Sequence, residues 1–236
     1  MEKGWYMSSR THPNLRILSR SNRPFSDRIE AGQNLADELA ALRGQEPVIL
    51  GVPRGGVVIA DELARRLDAD LDIVLSRKLG TPGQPELAMG ALAEDGTVFL
   101  NDDVVRSAAI PQKSIEQETT RQLAEIRRRS QLFRAEHPRI SLKDRIVVIS
   151  DDGVATGATM QAALWATRHE QPVRLIAAVP IASEEALQRL SQAADEVVCL
   201  RQPEYFYAVG QAYYQFPQIE DEEVVRILQR ARSRKR

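Results

Sequence analysis

The sequence predicts an α/β fold, an open and mostly parallel sheet with helices on both faces. Three observations predict it. Short apolar runs recur at residues 48–52, 71–75, 146–150, 173–179 and 196–200. Stretches with helical spacing of apolar residues alternate with them, the order that builds a parallel sheet. The runs at 48–52 and 146–150 each end in a Gly-rich turn that opens a helix, as in βαβ units. With 236 residues, 43% hydrophobic and 28% charged, the chain is long enough for one domain with a substantial core.

In chain order, residues 1–24 are expected to be an irregular arm and 25–236 a single domain. Ile29, Leu35, Leu39 and Leu42 give an amphipathic helix over 27–42, with Gly44 as its stop. The run 48–52, bounded by Pro47 and Pro53, suits a buried parallel strand. Gly55 and Gly56 open a helix to 67, and 71–75 is the next strand. Residues 79–96 carry Gly80, Pro82, Gly83, Pro85, Gly90 and Gly96, a composition that predicts a long loop. A short strand at 97–100 and a charged helix over 102–136 follow. That helix is broken near Ile110-Pro111, with Ile115, Leu123, Ile126 and Phe133 as its apolar stripe. Strand 145–150, helix 157–169, strand 173–179, helix 184–190 and strand 196–200 continue the alternation. An aromatic-rich irregular stretch, 202–218, precedes a last helix at 221–232.

Composition narrows the function classes. A net charge of −1 gives no bulk attraction for nucleic acid or membrane, so an anion site must be built locally. The basic tail 230–236 reads as a solvated helix end rather than a nucleic-acid contact. One cysteine, Cys199, excludes an intramolecular disulfide, and no Cys/His cluster suggests structural zinc. His12, His137 and His169 read as structural or solvated. Residues 1–24 lack the apolar centre of a signal peptide and no apolar run approaches a membrane span, so a cytoplasmic location is expected.

The most informative segment is Ile146-Val147-Val148-Ile149-Ser150-Asp151-Asp152-Gly153-Val154-Ala155-Thr156-Gly157-Ala158-Thr159-Met160. An apolar strand ends in two carboxylates, then a tight small-residue loop opens a helix. Ligands of open α/β sheets lie outside the carboxyl ends of strands. Backbone N–H groups at a helix N-terminus, with Thr156 and Thr159 hydroxyls, suit a phosphate monoester. Asp151 and Asp152 can accept hydrogen bonds from vicinal hydroxyls and hold Mg²⁺ directly or through water. Asp-Asp-Gly is also ordinary turn chemistry and Thr-Gly an ordinary helix cap. The absence of Gly-Lys-Thr/Ser excludes a nucleotide-triphosphate P-loop.

This segment resembles the phosphoribosyl pyrophosphate (PRPP) motif of type I phosphoribosyltransferases. The resemblance implies that Asp151 and Asp152 hold the ribose hydroxyls, and that Ala155, Thr156, Gly157, Ala158 and Thr159 wrap the 5′-phosphate. Val52-Pro53-Arg54-Gly55-Gly56 follows the first core strand as that family's pyrophosphate loop does, with Pro53, Arg54, Gly55 and Gly56 as candidate contacts. Arg77-Lys78 follows the next strand and would clamp the same group. Residues 79–96, with Glu86, Glu94 and Asp95, match the position of the family's flexible lid. With Glu86-Leu87-Ala88-Met89-Gly90-Ala91 and Phe206-Tyr207-Ala208-Val209-Gly210-Gln211, the likeness runs from about residue 25 to 232. It is nearest to bacterial phosphoribosyltransferases whose acceptor is unassigned.

The implied fold is type I PRTase-like, with a small C-terminal hood near 202–218. The implied reaction transfers the 5-phosphoribosyl group of PRPP to a nitrogen acceptor, a nucleobase first of all, and releases pyrophosphate. Catalysis would rest on Asp151, Asp152, Arg54 and Lys78, with Mg²⁺ as cofactor. Tyr205, Phe206, Tyr207, Tyr213 and Tyr214 could stack on an acceptor beside Gln211, or could equally pack the C-terminal segment onto the sheet. Family likeness also implies a homodimer. Two other readings stand: a PRPP-sensing regulator without turnover, and a hydrolase of a phosphorylated sugar nucleotide.

Overall fold

The structure, a computed structural model, describes residues 13–135 and 137–234, with the backbone alone at Pro85 and Glu86. His12 and the final residues of the basic tail lie outside this range, as do the first residues of the expected arm. Six strands form the main sheet: β1 (Leu15–Ser19), β2 (Val48–Gly51), β3 (Asp70–Ile73), β7 (Ile146–Ser150), β8 (Arg174–Ile181) and β9 (Glu196–Arg201). All pair in parallel, in the order β1-β9-β8-β7-β2-β3.

The central strands are buried on both faces, which is why they read as continuous apolar runs. Alternate residues divide between two cores. Ile49, Val148, Ile176 and Val198 pack under α1 (Arg28–Glu38), α2 (Gly55–Leu67) and α7 (Asp221–Arg234). Leu50, Ile149, Ala177 and Cys199 pack under α5 (Ala158–His169) and α6 (Glu184–Ser191). Asp27 caps α1 by accepting the Glu30 N–H at 2.8 Å.

Two expectations are corrected. Within the expected irregular arm, residues 15–19 form β1, an edge strand that pairs with β9. Its alternating burial leaves Leu18 41% exposed, a one-sided pattern too weak to stand out in sequence. Residues 79–96 are not a loop. They belong to β4 (Ser76–Thr81) and β5 (Gln84–Ala93), which with β6 (Val98–Leu100) make a three-stranded antiparallel sheet.

The glycines that suggested a loop punctuate this sheet instead. Pro82-Gly83 is a two-residue hairpin turn, with Gly83 at φ 78°. Gly90 lies where a Cβ would stand 2.2 Å from the Phe99 carbonyl oxygen of β6. Leu79, Met89 and Leu92 pack with Ile110, Ile115 and Ile126 in a separate small core. The break in the charged helix falls as expected, between α3 (Asp102–Ser107) and α4 (Gln112–Arg134). At the far end of α4, Arg134 takes both carboxylate oxygens of Glu94 at 3.0 Å and also binds Asp72 of β3. Glu94 thus fastens the small sheet to the large one. His137 is buried beside the same Asp72, its Nε2 3.4 Å from Oδ1.

Candidate functional site

The chain runs from β2 to β3 on one side of the sheet centre and from β7 to β8 on the other. The carboxyl ends of β2 and β7 therefore lie side by side at a topological switch point, where open α/β sheets bind ligands. Gly51 pairs with Ser150, and the Val52 N–H donates to the Ser150 carbonyl at 2.9 Å. The two loops then press together. A Cβ on Gly55 would fall 1.8 Å from Asp152 Oδ2, and one on Gly56 2.9 Å from Asp151 Oδ1 and 2.7 Å from the Ser150 carbonyl. Each glycine of the first loop makes room for one carboxylate of the second.

Beyond the carboxylates, the small-residue loop is pinned from below. The Val154 N–H donates to Ile181 at 2.9 Å, and the Ser183 N–H returns to Val154 at 3.1 Å. The Ser183 hydroxyl donates to the Ala155 carbonyl at 2.6 Å while accepting the Ala186 N–H as the cap of α6. Gly157 adopts φ 78° and abuts Ala186, whose Cα would be 3.1 Å from an added Cβ. That left-handed residue precedes α5, whose N-terminus receives no side-chain cap. Gly157 and Ala158 are buried, while Ala155, Thr156 and Thr159 face solvent. Two solvent-facing hydroxyls, of which Thr156 accepts a long 3.5 Å bond from the Ala158 N–H, stand at the positive end of a helix dipole, an arrangement that attracts an anion.

Asp151 and Asp152 are half-buried. Removal from water, then the charge of Asp152, holds the Asp151 carboxyl well above its ordinary range. Desolvation raises Asp152 as well, against the opposing charge and hydrogen bond of Arg28. Arg28 Nε lies 2.8 Å from Asp152 Oδ2. Two crowded carboxylates of raised pKa favour a cation or hydroxyl donors between them and solvent. No cluster of three or more His, Cys, Asp or Glu able to cage a metal occurs among the described residues. This donor set fits Mg²⁺, which takes one or two carboxylates and fills its remaining positions with water and substrate phosphates.

The other residues singled out in sequence divide. Arg54 stands at the mouth of the first loop, its Nη1 3.1 Å from Glu220 Oε2 and 4.0 Å from Asp221 Oδ1; the Pro53–Arg54 peptide is cis. Arg77 is turned onto α4, where it meets Glu125 at 3.0 Å. Removal from water and the neighbouring Arg129 charge keep its guanidinium below its ordinary value. Lys78, next along β4, alternates to the other face of that strand. Tyr205, Phe206, Tyr207 and Gln211 line a cavity of about 300 Å³ with Asn22 and Ile181. Ile181 also abuts Gly153, the residue after the twin acids. Tyr213 is core instead, 6% exposed, and Tyr214 is 74% exposed outside that lining.

Sequence reasoning did not find Arg28, and it placed Phe216 only within the expected hood near 202–218. Arg28 sits in the first turn of an amphipathic helix 124 positions from its partner Asp152, and no local pattern marks such a pair. Ser183 ends the segment 180–183 that the sequence suggests as part of the hood; the structure makes it instead the cap of α6 and a support of the Ala155 carbonyl.

Fold and site together define a parallel α/β protein with a small-residue loop and twin carboxylates at the switch point of its sheet. The chain belongs to the phosphoribosyl transferase domain family, whose pattern matches residues 27–109 and 110–217. A Mycobacterium tuberculosis (strain CDC 1551 / Oshkosh) protein named "Putative phosphoribosyl transferase MT0597" is 49% identical over 207 residues, covering 88% of this chain and 47% of the relative. Its counterpart in strain H37Rv, "Putative phosphoribosyl transferase Rv0571c", matches equally. The chain thus spans about half the length of the curated relatives it matches. Among solved structures, TT1426 from Thermus thermophilus is 48% identical with a TM-score of 0.83, covering 87% of this chain and 97% of that one. No helix among the described residues is long and apolar enough to cross a membrane.

Proposed function

We propose that the protein is a Mg²⁺-dependent phosphoribosyltransferase that moves the 5-phosphoribosyl group of PRPP to a nitrogen acceptor, a nucleobase first of all, and releases pyrophosphate. The observation that carries this reading is the apposition of Gly55 and Gly56 to Asp152 and Asp151. A ligand reaching both loops must present a phosphate-like group on one side and neighbouring hydroxyls on the other. PRPP has both, and a 5′-phosphate for the loop 155–159.

In this reading the bond from C1 to the pyrophosphate oxygen breaks and a C1–N bond forms as the acceptor nitrogen releases its proton to solvent, through a transition state with oxocarbenium character. Charge accumulates on the departing pyrophosphate, against the backbone of residues 53–56 and the Arg54 guanidinium. Lys78 supports it from β4, whereas Arg77, on the opposite face and paired with Glu125, fastens that strand to α4. Asp151 and Asp152 accept the ribose hydroxyls, and the α5 N-terminus with Thr156 and Thr159 holds the 5′-phosphate. Mg²⁺, when bound at the two aspartates directly or through water, supplies positive charge facing the leaving group. The acceptor stacks in the cavity of Tyr205, Phe206, Tyr207 and Gln211, beside Gly153.

The test is titration calorimetry of PRPP with Mg²⁺ on wild type and on the Asp151→Asn/Asp152→Asn variant, then pyrophosphate release over a panel of bases. Binding in wild type, its loss in the variant, and release with one base support the transferase. Binding without release with any base supports the sensor. Absence of PRPP binding by wild type sinks the proposal.

A further inference from the structure

We infer that Arg28 is a positioning residue that sets the ribose-side carboxylate and the wall of the acceptor cavity by one side chain, an inference that rests on the PRPP reading above. Arg28 is 7% exposed, and no other arginine among the described residues is so deeply buried. A guanidinium withdrawn from water is costly to keep unless its donors are used. Here Nε binds Asp152 Oδ2 at 2.8 Å and Nη1 donates to the Pro217 carbonyl at 2.8 Å. The guanidinium carbon lies 3.7 Å from the centre of the Phe216 ring. The side chain therefore grips one of the twin acids with its near end and the segment after residue 212 with its far end.

The grip closes on itself. Phe216 stacks on Tyr213 at 5.0 Å and 23°. The Tyr213 hydroxyl donates back to the Asp152 carbonyl at 2.5 Å. Asp152 is thus held through its side chain by Arg28 and through its backbone by Tyr213, and the two holders are joined by Phe216. The same ring lies over the turn that carries Gln211: a Cβ on Gly210 would be 3.2 Å from Phe216 Cδ1. Any shift of the Asp152 carboxylate is passed by Arg28 to Phe216, and by Phe216 to the turn that lines the cavity.

A support for the C-terminal segment alone needs no such arrangement. That segment is already tied to the start of the domain by the Tyr214 N–H to Phe25 at 2.8 Å and the Gln215 N–H to Ser26 at 2.9 Å. Arg28 adds what those bonds cannot, a mechanical connection to the acid that reads the ribose. Lysine cannot reproduce it, because one ammonium on a flexible stem lacks the planar fork that serves Asp152 and Pro217 while stacking on Phe216.

The experiment is amide hydrogen exchange over residues 209–217, with and without PRPP and Mg²⁺, alongside calorimetry on the same samples. In wild type, PRPP–Mg²⁺ should slow exchange in this segment although the ligand's own loops lie elsewhere. Phe216→Leu should bind PRPP–Mg²⁺ with a Kd within about 3-fold of wild type and lose the protection of 209–217. Arg28→Lys should lose the protection and bind roughly 3- to 10-fold more weakly, the scale of one ordinary hydrogen bond lost while the positive charge is kept. Thermal unfolding confirms that each variant is folded before it is read. If wild type binds PRPP–Mg²⁺ with no change at 209–217, or if both variants keep the wild-type protection, Arg28 has no such role and the transferase reading stands. If wild type binds no PRPP, both fall.

Discussion

Replacing Gly55 by alanine is the sharpest test of the paired loops. The new methyl would fall 1.8 Å from Asp152 Oδ2 and 2.6 Å from its carboxyl carbon, where real contacts do not come under 3.0 Å. The carboxylate must retreat, and its 2.8 Å bond to Arg28 opens beyond hydrogen-bonding range. A hydrogen bond to a charged group is worth roughly 1.5–3 kcal/mol. Alanine returns up to about 1 kcal/mol of this, since glycine is the poorer helix former and residue 55 begins α2. The fold should therefore lose about 1–2 kcal/mol, a fall in Tm of roughly 2–8 °C for a chain of this size. On the proposed function binding should lose more, because the displaced carboxylate would no longer meet the ribose hydroxyls. One charged contact corresponds to about 10- to 150-fold in Kd for PRPP–Mg²⁺. Calorimetry on the variant, below its own Tm, reads the second number independently of the first. A Kd within about 3-fold of wild type would refute the claim that these loops form one ligand site.

Glu220→Gln removes the nearer carboxylate of the two at Arg54, and because such exposed pairs are worth about 0.2–1 kcal/mol, PRPP affinity should rise by up to about 5-fold at low salt. The gain should shrink as salt screens the pair, and unchanged calorimetry at both salt levels would show that Arg54 does not meet the ligand. Asp72 lies 1% exposed under Arg134; burial opposes its ionisation, but His137, Arg134 and two N–H donors outweigh this and lower its pKa. Its contribution is complete above the unfolded value of 3.8 and is lost as pH falls through the lower folded value. Asp72→Asn should lower Tm near neutral pH by roughly 6–12 °C, from about 3 kcal/mol lost with a buried pair, and should flatten the acid limb of Tm against pH. An unaltered acid limb would be contrary evidence. Cys199 is fully buried and its thiol is pushed up to about 12 by removal from water, so iodoacetamide at pH 8 should leave it unmodified until denaturant is added. Rapid labelling of the native protein, read by mass spectrometry, would contradict its place in the core.

The parallel sheet was legible because its strands are buried on both faces and therefore read as unbroken apolar runs at 48–52 and 146–150. The loop after β7 was legible because Asp151 to Thr159 carries its acids and small residues consecutively. The small antiparallel sheet was not. Glycine and proline report backbone geometry, and the same residues serve a loop or a hairpin; what decided for strand was the buried stripe Leu79, Met89 and Leu92 against α4, a non-local fact. The wall around Asp152 was hidden for the same reason. Arg28 and Tyr213 reach it from distant stretches, and neither residue type alone distinguishes a site from a core.

The cavity beside Gly153 has a further consequence for how such a protein could be altered. Apart from Asn22 and Ile181, every residue lining it comes from the single stretch 203–212 that follows the last strand, whereas the two loops pressed together at the sheet centre follow β2 and β7. The surface beside the twin acids is thus encoded in one contiguous stretch, which meets the acid loop where Val209 packs on Gly153, 2.5 Å from the place of an added Cβ. A graft of ten codons would exchange most of that surface, and the replacement would have to keep a side chain at 209 that fits against Gly153 and a turn at 210 that admits Phe216.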